Sequence, residues 1–312
     1  MAPRSLRVTF LGNDPWSVPS LEAVRGSGHR VGLVLTRGPR PGRRGSGSIP
    51  TAVAQAATRL DLPLTEADTV RTGRGLEALT GSSPEVLVVV AYGEILPPSV
   101  LELPTVAAVN VHFSLLPELR GASPVQQALL RGFERTGVTT MLMEEGPDTG
   151  PILRQRAEPI RDEDDAGRLG GRLARIGGDL LVASLEDLAE GTARPRPQDA
   201  SRATFAPKLH PEDRRIDWQV PAEDVVNRVR AFGPEPGALT AFRGAPLKVL
   251  RAAASPERGS PGVVVSAGEG GLVVAAARGA VALLQVAPAG KREMSGVAFV
   301  RGRRPQLGER LA

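Results

Sequence analysis

The sequence predicts an α/β protein: a Rossmann-like, doubly wound N-terminal sheet followed by a small C-terminal β-barrel. Two observations carry this. Up to residue 190, short apolar runs rich in β-branched residues alternate with segments of helical periodicity, the rhythm of strand–helix–strand units. Beyond Gln198 the rhythm changes to five short apolar runs at roughly 8–12-residue spacing, parted by Gly and Pro, as in small barrels.

Taken in order, Leu6–Leu11 reads as the first strand, closed by Gly12, where a mononucleotide fold often places a phosphate loop. The turn Gly12-Asn13-Asp14-Pro15-Trp16 is not a GxGxxG motif, so dinucleotide binding gains little support. A helix is expected over Val18–Arg25, a strand over Arg30–Thr36 and a helix over Ile49–Leu60. Further strands are expected over Val86–Ala91, Ala107–Val111, Thr139–Met143 and Ile152–Glu158, with helices over Pro124–Gly132 and Asp164–Ala189. Gly191–Gln198, with two prolines, has the composition of a linker. This divides the chain into a catalytic domain (1–190), a linker (191–206) and an accessory domain (207–312). In the last of these a helix over Glu223–Ala231 precedes strands over Ala238–Phe242, Leu247–Arg251, Gly262–Ser266, Leu272–Ala276 and Val281–Val286.

At 312 residues the chain can bury two cores, and 41% hydrophobic with 23% charged residues is ordinary for a soluble protein. The absence of cysteine excludes disulfides, a thiol nucleophile and cysteine-ligated zinc, and no metal is expected. No apolar run reaches the roughly 18–20 residues that span a bilayer. Met1-Ala2-Pro3-Arg4-Ser5 leads into a strand without a secretory apolar stretch, so the expectation is a cytoplasmic protein with no membrane partner. Nothing resembles a heptad or a large exposed apolar stripe, and a monomer is expected. Net charge is +5, and its distribution is uneven: 16 basic against 10 acidic residues from Ala206 to Ala312, 23 against 24 elsewhere. A basic accessory domain suits a polyanionic substrate, although charge alone does not separate that from a solvated surface. The loop Thr36–Ser48 holds four arginines and four glycines, too flexible and too charged for a packed element.

Asn110-Val111-His112 ends a short apolar strand, and residues two apart in a strand face the same way. In open α/β sheets ligands bind at that end. An amide can polarise a carbonyl, an imidazole can move a proton, and a carboxylate such as Asp148 can orient the imidazole and stabilise it when charged. A lone Asn-x-His is more often a satisfied polar pair. Here His29 and His210 sit in turn-like segments, and only His112 follows a buried-looking strand.

The flanking segments add weight. Val89-Val90-Ala91-Tyr92-Gly93-Glu94-Ile95-Leu96-Pro97, Asn110-Val111-His112-Phe113-Ser114-Leu115-Leu116-Pro117, Arg120-Gly121-Ala122-Ser123-Pro124 and Asp148-Thr149-Gly150 follow in that order and spacing. The chain resembles the formyltransferases that use 10-formyltetrahydrofolate, over nearly its whole length. Ile216-Asp217-Trp218 and Arg230-Ala231-Phe232-Gly233-Pro234 look like their tRNA-directed branch. The resemblance implies formyl transfer to methionine esterified to initiator tRNA, with an OB-like barrel as the second domain. It implies Asn110, His112 and Asp148 as the catalytic set. The formyl donor would lie along Tyr92, Glu94, Ile95 and Leu96, the run Ser114, Leu115, Leu116 and Pro117, and Glu145 with Asp148. Ser114 lacks a G-x-S-x-G setting and reads as a loop-capping hydroxyl. Arg44, with Arg40 and Arg43, matches the loop that meets the acceptor end of tRNA; Lys208, Lys248 and Lys291 would add contacts from the basic domain.

The chain departs from that pattern at several places: Phe113 stands where glycine is usual, Glu118-Leu119 replaces a basic-aromatic pair, and Asn13-Asp14 replaces Thr-Pro. None of these removes a catalytic group. Two other activities use the same three residues: formyl transfer to a nucleotide-linked amino sugar, and hydrolysis of the formyl donor by water. A non-catalytic RNA-binding module is the alternative from outside enzymology, and the intact triad argues against it.

Overall fold

Seven strands form the first sheet: β1 (Arg7–Gly12), β2 (Arg30–Thr36), β3 (Leu64–Glu66), β4 (Val86–Val90), β5 (Ala107–His112), β6 (Arg135–Leu142) and β7 (Ile152–Pro159), in the order β7-β6-β5-β4-β1-β2-β3. The computed structural model describes residues 4–42 and 47–312. The first five strands run parallel, and β6 is antiparallel to β5. Because β1 pairs with both β2 and β4, strand order reverses about β1, as in a doubly wound sheet. The five residues of β4, Val-Leu-Val-Val-Val, are all buried, as a central parallel strand with two covered faces requires.

Helices α1 (Val18–Gly26), α2 (Ala52–Arg59) and α3 (Gly73–Gly81) pack against β2, and α4 (Pro124–Leu130) and α5 (Ala166–Glu190) follow later in the chain. Helix α2 starts after Pro50, later than its periodicity suggests, because Thr51 Oγ1 accepts the Ala54 N–H at 3.0 Å and caps it. Ile49 and Ser48 instead pair with Arg40 and Pro41 in a two-residue antiparallel bridge. Helix α5 contains Gly170, where a Cβ would lie 2.1 Å from the ring of Trp16. That close approach lets Trp16 lie against the helix and meet Phe113 edge-on, ring centres 6.0 Å apart.

Two compact units account for the chain. One comprises the residues up to Pro124 with Thr136–Pro159 and Gly170–Ala206; the other comprises Val125–Arg135, Ile160–Leu169 and Pro207–Ala312. In the second, α6 (Ala222–Phe232) precedes β8 (Ala238–Phe242), β9 (Ala245–Ser255), β10 (Val264–Gly268), β11 (Gly271–Ala275) and β12 (Ala280–Pro288), before α7 (Gly296–Arg303). Those strands are antiparallel in the order β8-β9-β12-β11-β10. The C-terminal residues join its two edges: Ala312 N–H donates to Ala241 O at 3.1 Å, and Val264 N–H to Glu309 O at 2.8 Å. Closing the edges this way gives the expected OB-like barrel and leaves few unpaired strand groups. Its core includes Trp218, Val225, Val229, Phe242, Val249 and Phe299.

Candidate active site

Strand β5 delivers Asn110, half-buried, and His112, 5% exposed, to its C-terminal end. Asp148 reaches them from the loop between β6 and β7. Its Oδ1 lies 3.3 Å from Asn110 Nδ2 and 3.5 Å from His112 Nδ1, while its Oδ2 accepts the Gly121 N–H at 2.8 Å. His112 Nε2 stands 2.9 Å from Leu119 O. A carbonyl only accepts, so Nε2 carries the proton and Nδ1 is the nitrogen left to work. When the ring is neutral, Nδ1 offers a lone pair; when charged, it is a second donor beside Asn110. Two N–H groups then aim at one anionic oxygen, the arrangement that holds a developing oxyanion. Both contacts are long for hydrogen bonds, so neither donor is saturated.

A cavity of about 530 Å³ opens over this cluster, its walls including Tyr92, Ile95, Leu96, Phe113, Met143 and Pro147. The Tyr92–Ile95 stretch is pinned by its carbonyls: Asn13 Nδ2 donates to Tyr92 O, Arg37 Nη2 to Gly93 O at 3.0 Å and Arg71 Nη2 to Ile95 O at 2.6 Å. Ile95 is left 71% exposed at the rim. The Glu94 carboxylate is engaged by Thr69 Oγ1 at 2.6 Å and Arg71 Nε at 3.3 Å. Burial, then the nearby Glu94 charge, pushes the Tyr92 phenol well up, and the ring lies among Leu11, Leu35 and Leu87 as a wall.

Other expected residues are placed elsewhere. Ser114, Leu115, Leu116 and Pro117 do not line the cavity. Ser114 Oγ donates to Glu118 O at 2.6 Å, and Leu116 packs with Met141 and Ile152. Glu145 is exposed and outside the cavity wall. Arg40 is exposed at the base of its loop, whereas Arg43 and Arg44 lie outside the described residues. In the second unit Lys208 and Lys291 are exposed, and Lys248 Nζ is 3.7 Å from Glu235 Oε2. Among the described residues no group of three or more His, Asp or Glu could hold a metal ion, and no helix is long and apolar enough to cross a membrane.

Sequence reading missed Leu119, Gly121, Gln198 and Thr204. The first two act through backbone groups, which leave no side-chain signature. Gln198 and Thr204 sit in the segment assigned as a linker, 191–206, yet Gln198 Nε2 donates to Asp148 O at 2.9 Å.

The family model described as formyl transferase matches residues 6–185, and that described as formyl transferase, C-terminal domain, matches residues 208–304. A methionyl-tRNA formyltransferase of Thiobacillus denitrificans is 43% identical over 98% of this chain and 99% of its own. One from Roseiflexus castenholzii is 44% identical over 98% of this chain and 99% of its own. Among solved structures, HypX from Aquifex aeolicus in complex with tetrahydrofolic acid shares the fold, with a TM-score of 0.65 at 18% identity over 97% of this chain and 48% of that one. Domain matches over both halves and relatives of this identity from end to end settle the grouping: the chain belongs to the methionyl-tRNA formyltransferase family.

Proposed function

We propose that the chain transfers the formyl group of 10-formyltetrahydrofolate to the α-amine of methionine on initiator Met-tRNA, giving N-formylmethionyl-tRNA. The formyl-transfer step rests on Asn110 Nδ2 and His112 Nδ1 facing one point at the cavity, where Asp148 Oδ1 now lies, and the Met-tRNA acceptor rests on the end-to-end likeness to methionyl-tRNA formyltransferases. In the proposed reaction the free amine attacks the formyl carbon and its oxygen becomes an oxyanion. Asn110 and charged His112 donate to that oxygen, each donor commonly contributing on the order of 10²–10³ in rate. The carbon–N10 bond then breaks, N10 takes a proton, and tetrahydrofolate leaves. Asp148 orients the imidazole and helps relay the proton from the attacking ammonium. No covalent enzyme intermediate is needed.

The cavity is within the usual size of small-ligand sites and suits a flat, polar-edged donor. The pterin would lie against Ile95 and Leu96, with its edge on backbone groups of the Tyr92–Leu96 and Glu144–Asp148 loops. Arg40, with Arg43 and Arg44, would meet the acceptor end of the tRNA, supported by the basic balance of the second unit. The cytoplasm is the compartment we propose for this reaction.

The test is transfer of labelled formyl from 10-formyltetrahydrofolate, offered in parallel to Met-tRNA, to a nucleotide-linked amino sugar and to water alone. Label on initiator Met-tRNA, abolished by Asn110→Ala, is the expected result. Label on the sugar, or free formate without an acceptor, would move the activity to another formyl-transfer reaction.

A further inference from the structure

The two groups that hold the His112 ring, the Leu119 carbonyl and the Asp148 carboxylate, both belong to non-glycine residues in left-handed backbone, at φ +59° and +55°. Leucine persists in such backbone only where its surroundings over-determine it, and aspartate, which tolerates it, is fixed there by its partners. One short segment restrains both. Gln198 Nε2 donates to Asp148 O at 2.9 Å and to Gly150 O at 2.7 Å, and its Oε1 accepts from Nε and Nη2 of buried Arg120 at 3.1 and 2.7 Å. That uses both donors and both lone pairs of the amide. Six residues on, Thr204 Oγ1 accepts the Leu119 N–H at 2.8 Å, Thr204 O accepts the Arg120 N–H at 2.8 Å, and Thr204 N–H donates to Pro117 O at 3.2 Å. The strap ends at Ala206, whose carbonyl lies so close to Gly121 that a Cβ there would come within 2.6 Å. Gly121 in turn donates the N–H that anchors Asp148 Oδ2.

We infer that Gln198 and Thr204 are positioning residues for the formyl-transfer step. Thr204 sets the Leu119 peptide that fixes Nε2 of His112, and Gln198 sets the Asp148 turn that faces Nδ1. The inference rests on the function proposed above and adds residues that touch no substrate. If the strap were a mere tether between units, replacing its hydrogen-bonding groups one at a time would leave the His112 ring unchanged. If it positions the ring, each replacement loosens one side of it, and a displacement of about 1 Å at a reacting group commonly costs around a hundredfold in rate.

Three variants distinguish these outcomes. Thr204→Ser keeps the acceptor hydroxyl, whereas Thr204→Val removes it. Gln198→Glu keeps an acceptor for Arg120, now charged, but abolishes both donations to Asp148 O and Gly150 O. The expected result is near-native kcat for Thr204→Ser, with kcat about 10- to 100-fold lower for Thr204→Val and Gln198→Glu and KM for the formyl donor within about threefold. The ring ¹⁵N shifts of His112, one of three histidines, should move in the two impaired variants and not in Thr204→Ser. Native kcat in folded Thr204→Val and Gln198→Glu, or losses confined to KM for tRNA, would overturn the inference. Should the native protein transfer no formyl to Met-tRNA, the failure belongs to the functional reading. The ring shifts then still decide the positioning claim: shifts unmoved by Thr204→Val and Gln198→Glu overturn it.

Discussion

Asp148→Asn separates the charge of this carboxylate from its geometry. Asparagine tolerates left-handed backbone, so the turn at φ +55° should survive the change. The asparagine carbonyl can keep the Gly121 N–H that Oδ2 accepts at 2.8 Å. Its amide nitrogen then occupies the place of Oδ1, 3.3 Å from Asn110 Nδ2 and 3.5 Å from His112 Nδ1. Toward Asn110 this sets two donors face to face. Toward His112 it donates to Nδ1 and holds the ring neutral, because Nε2 already donates to Leu119 O. Both proposed oxyanion donors are therefore compromised. Each is worth on the order of 10²–10³, but groups acting as a unit do not add, so kcat should fall about 10³-fold, or about 4 kcal/mol in barrier. Unfolding free energy should change by less than about 1 kcal/mol. Asp148→Ala is the contrast: it leaves the Gly121 N–H unpaired and puts alanine in left-handed backbone, for a combined loss of about 2–4 kcal/mol of stability. Single-turnover formyl transfer and chemical unfolding of both variants make the comparison. A rate for Asp148→Asn within about tenfold of native would refute the reasoning.

Asn110→Ala should lower kcat on the order of 10²–10³ while leaving donor KM nearly unchanged, as steady-state transfer assays would show. Arg40→Ala should weaken tRNA binding and reduce the slope of log affinity against log salt by about one; an unchanged slope would mean that Arg40 meets no phosphate. Burial lowers the pKa of His29, with Glu186 opposing, and its Nδ1 accepts the Leu6 N–H at 3.2 Å. The unfolded chain therefore binds that proton more readily, so the His29 contribution to stability is full above about pH 6.5 and is lost as pH falls through that value toward the folded one. The melting temperature should accordingly drop between pH 7 and 5, less steeply in His29→Asn, and equal slopes would remove His29 as the cause. Phe113→Ala, which empties a site 5% exposed beside Trp16, should cost about 3–5 kcal/mol in chemical unfolding.

Much of the fold was legible because burial imprints itself on sequence. Strands β4 and β5 are apolar runs, and the 25 residues of α5 keep a leucine stripe despite their glycines. Strand β3 was not legible: three half-buried residues at a sheet edge need no apolar run. Helix α3 hides behind Gly73, Gly75 and Gly81, which dilute its helical propensity. Strand β9 runs past Arg251 to Ser255 through three alanines, too small to announce a strand. In the site, the period of two set Asn110 and His112 on one face from sequence alone. Asp148, 38 residues beyond Asn110, could be nominated from sequence but not placed, since a loop carboxylate carries no sign of what it faces.

The remaining residues resist reading for a physical reason. Ala91, Leu119 and Asp148 hold φ values of +43°, +59° and +55°, where local chemistry would favour glycine or, at best, asparagine and aspartate. Ala91 and Asp148 line the cavity, and Leu119 offers its carbonyl to His112. Nothing in an alanine or a leucine announces a left-handed turn, so the restraint has to come from partners distant in sequence. Thr204 acts on Leu119 across 85 residues and Gln198 on Asp148 across 50. Sequence logic based on local consistency fails where a scaffold holds backbone against its preference, as at these three positions and also at Arg243 and Arg304 away from the cavity. A segment assigned as a linker therefore carries the restraints, because its own conformation is set by the two loops it ties down.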